Sequence, residues 1–225
     1  MPVRAVTFDV YSAMFDTVGG LTNALRALFH HRGITSDTVP LARAWRRAHM
    51  DYLLLANSLD REPASNRAAI EASARYALRS LAPQPEAAEL DALAGAWERL
   101  PAWPEAAEVL AEVRRRPLAL AVFSNGDYGM LDGLMRRFPV RFDRIVSVEG
   151  GKFKPHPSVY RKAVTEMGVP AEDLLHVAGS PTDAAGATAA GLRTIWINRA
   201  GDAVVDARFA PAHQAGDLRG VLPLL

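Results

Sequence analysis

The sequence predicts an α/β fold with a parallel, doubly wound sheet, and three observations predict it. Short apolar runs alternate with segments of helical period from residue 99 to the end of the chain. A run of the same kind, Val6-Thr7-Phe8, stands near the start. Between the two, residues 17–98 carry helical patterns and no convincing strand. The expected architecture is therefore an α/β core made of residues 1–16 and 99–225, interrupted after its first strand by an all-helical cap over 17–98.

In chain order, residues 4–10 read as the first strand, β-branched and aromatic, running into the acid Asp9. Gly19-Gly20 reads as loop, after which Leu21, Leu25, Leu28 and Phe29 recur at helical spacing. Residues 38–59 form a longer helical stretch whose apolar face is Leu41, Trp45, Ala48, Tyr52 and Leu55. Two further amphipathic helices, 64–82 and 86–98, are separated by Pro83-Gln84-Pro85. The pattern changes at Pro101-Ala102-Trp103-Pro104. Helix 105–115, strand 117–123, helix 128–137, strand 144–148 and helix 157–167 follow, the last ending near Gly168. Strand 173–178, helix 181–190, strand 193–197 and a short helix at 216–222 complete the reading.

Composition narrows the function. The 225 residues are 49% hydrophobic and 23% charged, enough for a full core. A net charge of +1 points to neither nucleic acid nor a membrane surface. No run approaches the ~18 apolar residues of a spanning helix, and the start lacks a leader pattern, so a cytosolic protein is expected. The absence of cysteine removes disulfides, thiolate metal sites and cysteine nucleophiles. Lysine occurs only at Lys152, Lys154 and Lys162, so a functional lysine has few candidates.

Four strand ends carry polar groups, and in a parallel sheet they converge outside the carboxyl edge. Asp9 follows the first strand; alone it would read as a turn or capping acid. Ser124-Asn125-Gly126 follows strand 117–123, as a turn opening a helix or as an anion-facing hydroxyl, amide and N–H set. Lys154 is held non-helical by Pro155, and as a cation beside Asp9 it would favour the ionised carboxylate that a nucleophile needs. Gly179-Ser180-Pro181-Thr182-Asp183 caps the next helix and offers a second carboxylate. His30, His31 and His49 lie at no metal-like spacing and read as surface or cap-packing residues; His156, between two prolines, reads as structural. Phe15, Trp45 and Tyr52 read as packing between cap and core.

Taken in order, Asp9, Ser124-Asn125, Lys154-Pro155 and the Asp183 loop resemble the four motifs of the haloacid dehalogenase (HAD) superfamily, over nearly the whole chain. Its phosphatases carry an acid two residues after the nucleophile and another five residues before the position of Asp183. Here those places hold Tyr11 and Ala178. The resemblance is instead to the metal-independent L-2-haloacid dehalogenases. Trp45-Arg46 with Tyr52 resembles their substrate-binding arginine segment, Lys154 with Tyr160 their catalytic Lys and Tyr, and Ile197-Asn198-Arg199-Ala200-Gly201 their last strand and turn. The resemblance implies that Asp9 attacks the carbon α to a carboxylate, giving an aspartyl ester that water hydrolyses with help from Lys154 and Asp183. It implies that Arg46 and Asn125 cradle the leaving group, that Ser124 and N–H groups after Asp9 hold the carboxylate, and that no cofactor or metal takes part. A small 2-substituted carboxylic acid is the implied substrate. Apolar cap faces would also permit the homodimers common in the family.

The chain departs from the family pattern around the nucleophile. Gly-Thr after the Val-Tyr dipeptide is replaced by Ser12-Ala13, and Ser, Asn and Trp of the fourth motif by Ala178, Ser180 and Thr182. Ser12 or Ser180 then stands as a replacement hydroxyl. The changes leave two further readings beside haloacid dehalogenation. One is opening of L-azetidine-2-carboxylate by the same attack, and the other a HAD phosphatase or an inactive binding module.

Overall fold

The computed structural model describes residues 2–59 and 65–225; the first residue of the expected helix 64–82 lies outside them. Among the described residues the strands are β1 (Ala5–Phe8), β2 (Ala119–Ser124), β3 (Arg144–Ser147), β4 (Leu174–Ala178), β5 (Arg193–Ile197) and β6 (His213–Ala215). They form one parallel sheet in the order β3-β2-β1-β4-β5-β6. The central strands β1 and β4 are buried throughout and apolar but for Thr7 and His176, because helices cover both faces, as parallel sheets require. The α-helices between β1 and β2 are α1 (Thr17–His31), α2 (Val39–Ser58), α3 (Asn66–Ala77), α4 (Ala87–Ala96) and α5 (Ala106–Arg114). Helices α6 (Tyr128–Met135), α7 (Pro157–Met167) and α8 (Pro181–Ala189) connect the later strands. Helices α1 to α4 pack mainly on one another, α2 against both α1 and α3.

Several sequence expectations shift. The first strand stops at Phe8, so Asp9 stands just beyond it. Gly19 and Gly20 lie within α1, not in a loop, because Asp16 Oδ1 accepts the Gly19 N–H at 2.8 Å and starts the helix there. A Cβ on Gly20 would come within 2.4 Å of Leu100 Cδ2, so the helix needs a glycine for its close approach to that side chain. The buried face of α2 is Ala42, Trp45, His49 and Leu53, one residue round from the expected stripe, and Leu55 is 58% exposed. Counting apolar residues alone misplaced the stripe, because its third position is a histidine. Strand β6 was not expected: it is short, polar and at the sheet edge. The last helical segment, Leu218–Leu224, is a 3₁₀ helix containing Pro223. No helix among the described residues is long and apolar enough to cross a membrane.

Candidate active site

Strand order and register bring the expected strand ends together. β1 sits between β2 and β4, with Phe8 opposite Val122 on one side and Val177 on the other. The residues that follow, Asp9, Ser124 and the 178–183 turn, therefore open into one space at the carboxyl edge. The Asp9 N–H donates to Val177 O at 2.9 Å, extending the pairing by one step. The chain then turns sharply, with Ser12 at φ 75°, a conformation unusual for a side-chain-bearing residue. Gly179 passes so close that a Cβ there would lie 2.4 Å from Ala13 N and 2.9 Å from Asp9 Oδ2.

A buried ionic cluster occupies the floor. Lys154 Nζ lies 3.3 Å from Asp9 Oδ1 and 3.1 Å from Asp183 Oδ2, and donates to Phe123 O at 2.5 Å. Its ammonium also sits 4.1 Å from the centroid of the Phe123 ring. Ser124 Oγ donates to Asp9 Oδ1 at 3.0 Å. Asp183 receives the Tyr160 hydroxyl on Oδ1 at 2.9 Å, and His176 Nε2 at 3.0 Å on Oδ2. His176 Nδ1 meets Thr7 Oγ1 at 2.9 Å. A carboxylate only accepts, so Nε2 of His176 carries a proton. The two acids titrate oppositely. Burial raises the Asp9 carboxyl above its usual range, outweighing the opposing pull of Lys154. Lys154 and His176 hold Asp183 well below that range despite its burial.

Helices α2 and α3 form the roof. The Arg46 guanidinium donates to His49 Nδ1 at 3.1 Å, and His49 Nε2 lies 2.9 Å from Asn66 Oδ1. Burial and the neighbouring Arg46 push the His49 imidazole down to about 3. Burial also lowers Arg46, against the pull of Asp9. Trp97 ties roof to floor: its ring packs edge-on to Tyr11 at 5.2 Å and lies 4.6 Å from His49. The Tyr11 hydroxyl is buried without a hydrogen-bond partner among the described residues, and burial raises it well above its usual range. Asn125 Oδ1 accepts the Lys154 backbone N–H at 2.7 Å, and among the described residues no acceptor meets the Asn125 NH₂ at the cavity wall.

The cavity between roof and floor is small, about 20 Å³, and only partly closed off from solvent. Of the residues expected at the site, Asp9, Tyr11, Arg46, Ser124, Asn125, Lys154, Ser180 and Asp183 line it. Two expected residues do not. Ser12 is carried away by its own turn: its hydroxyl lies 3.5 Å from Thr17 Oγ1 and its carbonyl accepts from Trp103. Tyr160 stands behind Asp183 and reaches the site only through it. His49, Met50, Leu53 and Thr182 line the cavity without having been singled out as site residues, and His176 supports its floor. His49 was read as surface or cap packing; it is buried, but against the site's arginine. A histidine at the Trp45 face spacing in α2, and one inside the apolar strand Leu174–Ala178, were the available signals. His156 accepts the Ser158 N–H at the start of α7.

A polar cavity of this kind, with two cations and a buried carboxylate, suits a small anionic substrate and nucleophilic attack. Among the described residues no group of three or more His, Asp or Glu side chains is arranged to hold a metal ion. The cation between the two carboxylates is Lys154 itself.

Known proteins resemble this chain in sequence and fold. The family model described as haloacid dehalogenase-like hydrolase matches residues 3–191. The (S)-2-haloacid dehalogenase of Pseudomonas sp. (strain YL) is 29% identical over 99% of this chain and 94% of its own length. A solved L-2-haloacid dehalogenase superimposes with a TM-score of 0.87 at 31% identity, covering 99% of this chain and 98% of that one. The L-2-haloacid dehalogenase of Xanthobacter autotrophicus, solved with chloropropionic acid covalently bound, gives 0.84 at 26% identity over 98% and 97% of the two chains.

Proposed function

Since the chain belongs to the haloacid dehalogenase-like hydrolases, we propose that it is an (S)-2-haloacid dehalogenase with Asp9 as nucleophile. The observation that carries this is the pairing of Asp9 with Lys154 and Ser124 through one oxygen only. Both donors meet Oδ1, and among the described residues no donor meets Oδ2. Oδ2 is thus the oxygen free to attack C2 of the substrate. The carbon–halogen bond breaks as the new C–O bond forms, the halide leaves with the electron pair, and the configuration at C2 inverts. Arg46 and the Asn125 NH₂ receive the halide, and Ser124 with the N–H groups after Asp9 holds the substrate carboxylate.

Hydrolysis of the ester uses the same asymmetry. Water adds to the Asp9 carboxyl carbon, and negative charge develops on Oδ1, where Lys154 and Ser124 already point. Collapse of the tetrahedral species restores the Asp9 carboxylate and releases the 2-hydroxy acid, whose oxygen takes one proton of the water while the other is lost to solvent. Asp183, with both oxygens engaged, anchors Lys154. The hydroxyls of Ser180 and Thr182, 3.2 Å apart on the cavity wall, can hydrogen-bond the water. Residues 1–16 and 99–225 supply this chemistry, and the insert 17–98 serves as a cap that delivers Arg46 and excludes water.

The related proteins named above act on haloacids by name, and the azetidine alternative draws no support from them. Charge argues the same way: an ammonium substrate would enter a cavity already lined by Arg46 and Lys154. Tyr11 and Ala178, where the phosphatases of this superfamily place acids, argue against a phosphatase. Chloride release from L-2-chloropropionate in EDTA, with Asp9→Asn as control, tests the reading. Metal-independent release that the variant lacks supports it, and no release from folded protein sinks it.

A further inference from the structure

We infer that His49 is a positioning residue that aims the Arg46 guanidinium into the cavity, and that the core anchors it there through α3. This inference rests on the dehalogenase reading for what Arg46 does, though not for how it is held. Arg46 is half-buried on α2, and among the described residues it has no carboxylate within ion-pair distance. A flexible side chain with its charge facing a cavity needs a fixed partner to hold one rotamer. His49, one turn further along the helix, is the hydrogen-bonding partner, and the Trp97 ring lies 5.7 Å from the guanidinium beside it.

The arrangement works in one protonation pattern. Arg46 can only donate, so Nδ1 of His49 must be bare. Asn66 then accepts from the His49 Nε2–H through Oδ1 at 2.9 Å. The opposite tautomer would set two donors against each other at Arg46, and an imidazolium would do the same with added repulsion. His49 and Asn66 are both fully buried, so neither group has water as a substitute partner.

Asn66 is in turn fixed from the core. Its backbone N–H donates to Asp127 Oδ1 at 2.8 Å, and that of Arg67 to Asp127 Oδ2 at 3.0 Å. Asp127 follows Ser124-Asn125-Gly126 directly, so one loop carries the halide-facing amide and holds the start of α3. A carboxylate at a helix start satisfies unpaired N–H groups and the helix dipole. The line Asp127, α3, Asn66, His49, Arg46 therefore sets the cap's cation relative to the core's Asn125 and Asp9.

The test is single-turnover halide release from L-2-chloropropionate. His49→Leu, which fills the space without an acceptor, is expected to slow the release about 10- to 100-fold with KM little changed, the loss belonging to a charge-assisted hydrogen bond used on the departing halide. His49→Gln can accept from Arg46 and donate to Asn66, and is expected to stay within about threefold of wild type. A Leu variant that releases halide at the wild-type rate overturns the inference, as does equal slowing of folded Leu and Gln variants. The second arm needs no substrate and does not depend on the Leu variant folding. Nitrogen-15 NMR of His49 in the wild-type protein at pH 7 is expected to show a neutral ring protonated on Nε2. An Nδ1–H ring or an imidazolium overturns the inference. Absence of halide release by the wild type would defeat the dehalogenase reading and leave the NMR arm to decide this one.

Discussion

Lys154 bonds one oxygen of Asp9 and leaves the other bare. Its partner Asp183 is saturated by comparison, with Tyr160 on one oxygen and Lys154 and His176 on the other. Two buried acids on a single lysine are thereby given different states. Burial destabilises Asp9 as an anion, and Lys154 and His176 stabilise Asp183 as one despite its burial.

Asp9→Asn should abolish halide release and raise thermal stability at alkaline pH. The folded Asp9 carboxyl titrates above its unfolded value, so ionising it costs folding free energy as pH rises through the folded value. The neutral amide avoids that cost. Melting curves from pH 4 to 9 check this: the advantage of the variant should grow with pH, and a constant or shrinking advantage would contradict the assignment.

His176→Phe should separate the two chemical steps. Ester formation needs Asp9 and the halide cradle, which His176 does not touch; ester hydrolysis needs Lys154 held by Asp183. The expected result is a stoichiometric burst of halide followed by turnover slowed about tenfold or more, with the ester seen on Asp9 by mass spectrometry. A burst-free, uniformly slower enzyme would place His176 elsewhere in the cycle.

Much of this arrangement was legible in the sequence because Asp9 and Ser124 stand at the ends of short apolar strands, Lys154 just before Pro155, and Asp183 in the proline-marked first turn of α8. A strand end is where pattern alone places a side chain in space. His176 and His49 escaped for the opposite reason. Each lies inside an element, where it breaks an apolar pattern without announcing a partner, and only the pairing of β1 with β4 or α2 with α3 supplies that partner. Ser12 misled because its hydroxyl was weighed and its backbone was not: with φ at 75° the side chain turns toward Thr17.

That strain makes a prediction of its own. Ser12→Gly should stabilise the fold by about 0.5–1 kcal/mol, the relief of a left-handed backbone less the greater freedom glycine gains when unfolded. Halide release should be unchanged, since the hydroxyl does not line the cavity. Chemical denaturation with equal m-values measures the first, and a lost activity would restore Ser12 to the site.

Gly179→Ala should be severe in both respects. A methyl 2.4 Å from Ala13 N and 2.9 Å from Asp9 Oδ2 must push the backbone of two strand ends apart. A loss of about 1–3 kcal/mol in stability is expected, with halide release falling well below the wild-type rate. An alanine variant of wild-type activity would mean that this edge of the sheet yields more than its packing suggests.

The bond between Thr7 and His176 has a consequence for how the chain assembles. These two residues are direct partners in the β1–β4 register. Slipping the strands by one residue would set the histidine against Val6 or Phe8 and strand both polar groups in an apolar layer, at a cost of about 1–3 kcal/mol for each. Parallel strands far apart in sequence have no tight turn to set their alignment. The polar pair acts as a key cut into an otherwise interchangeable apolar surface, and a correctly paired sheet and a correctly assembled floor under Asp183 become one event.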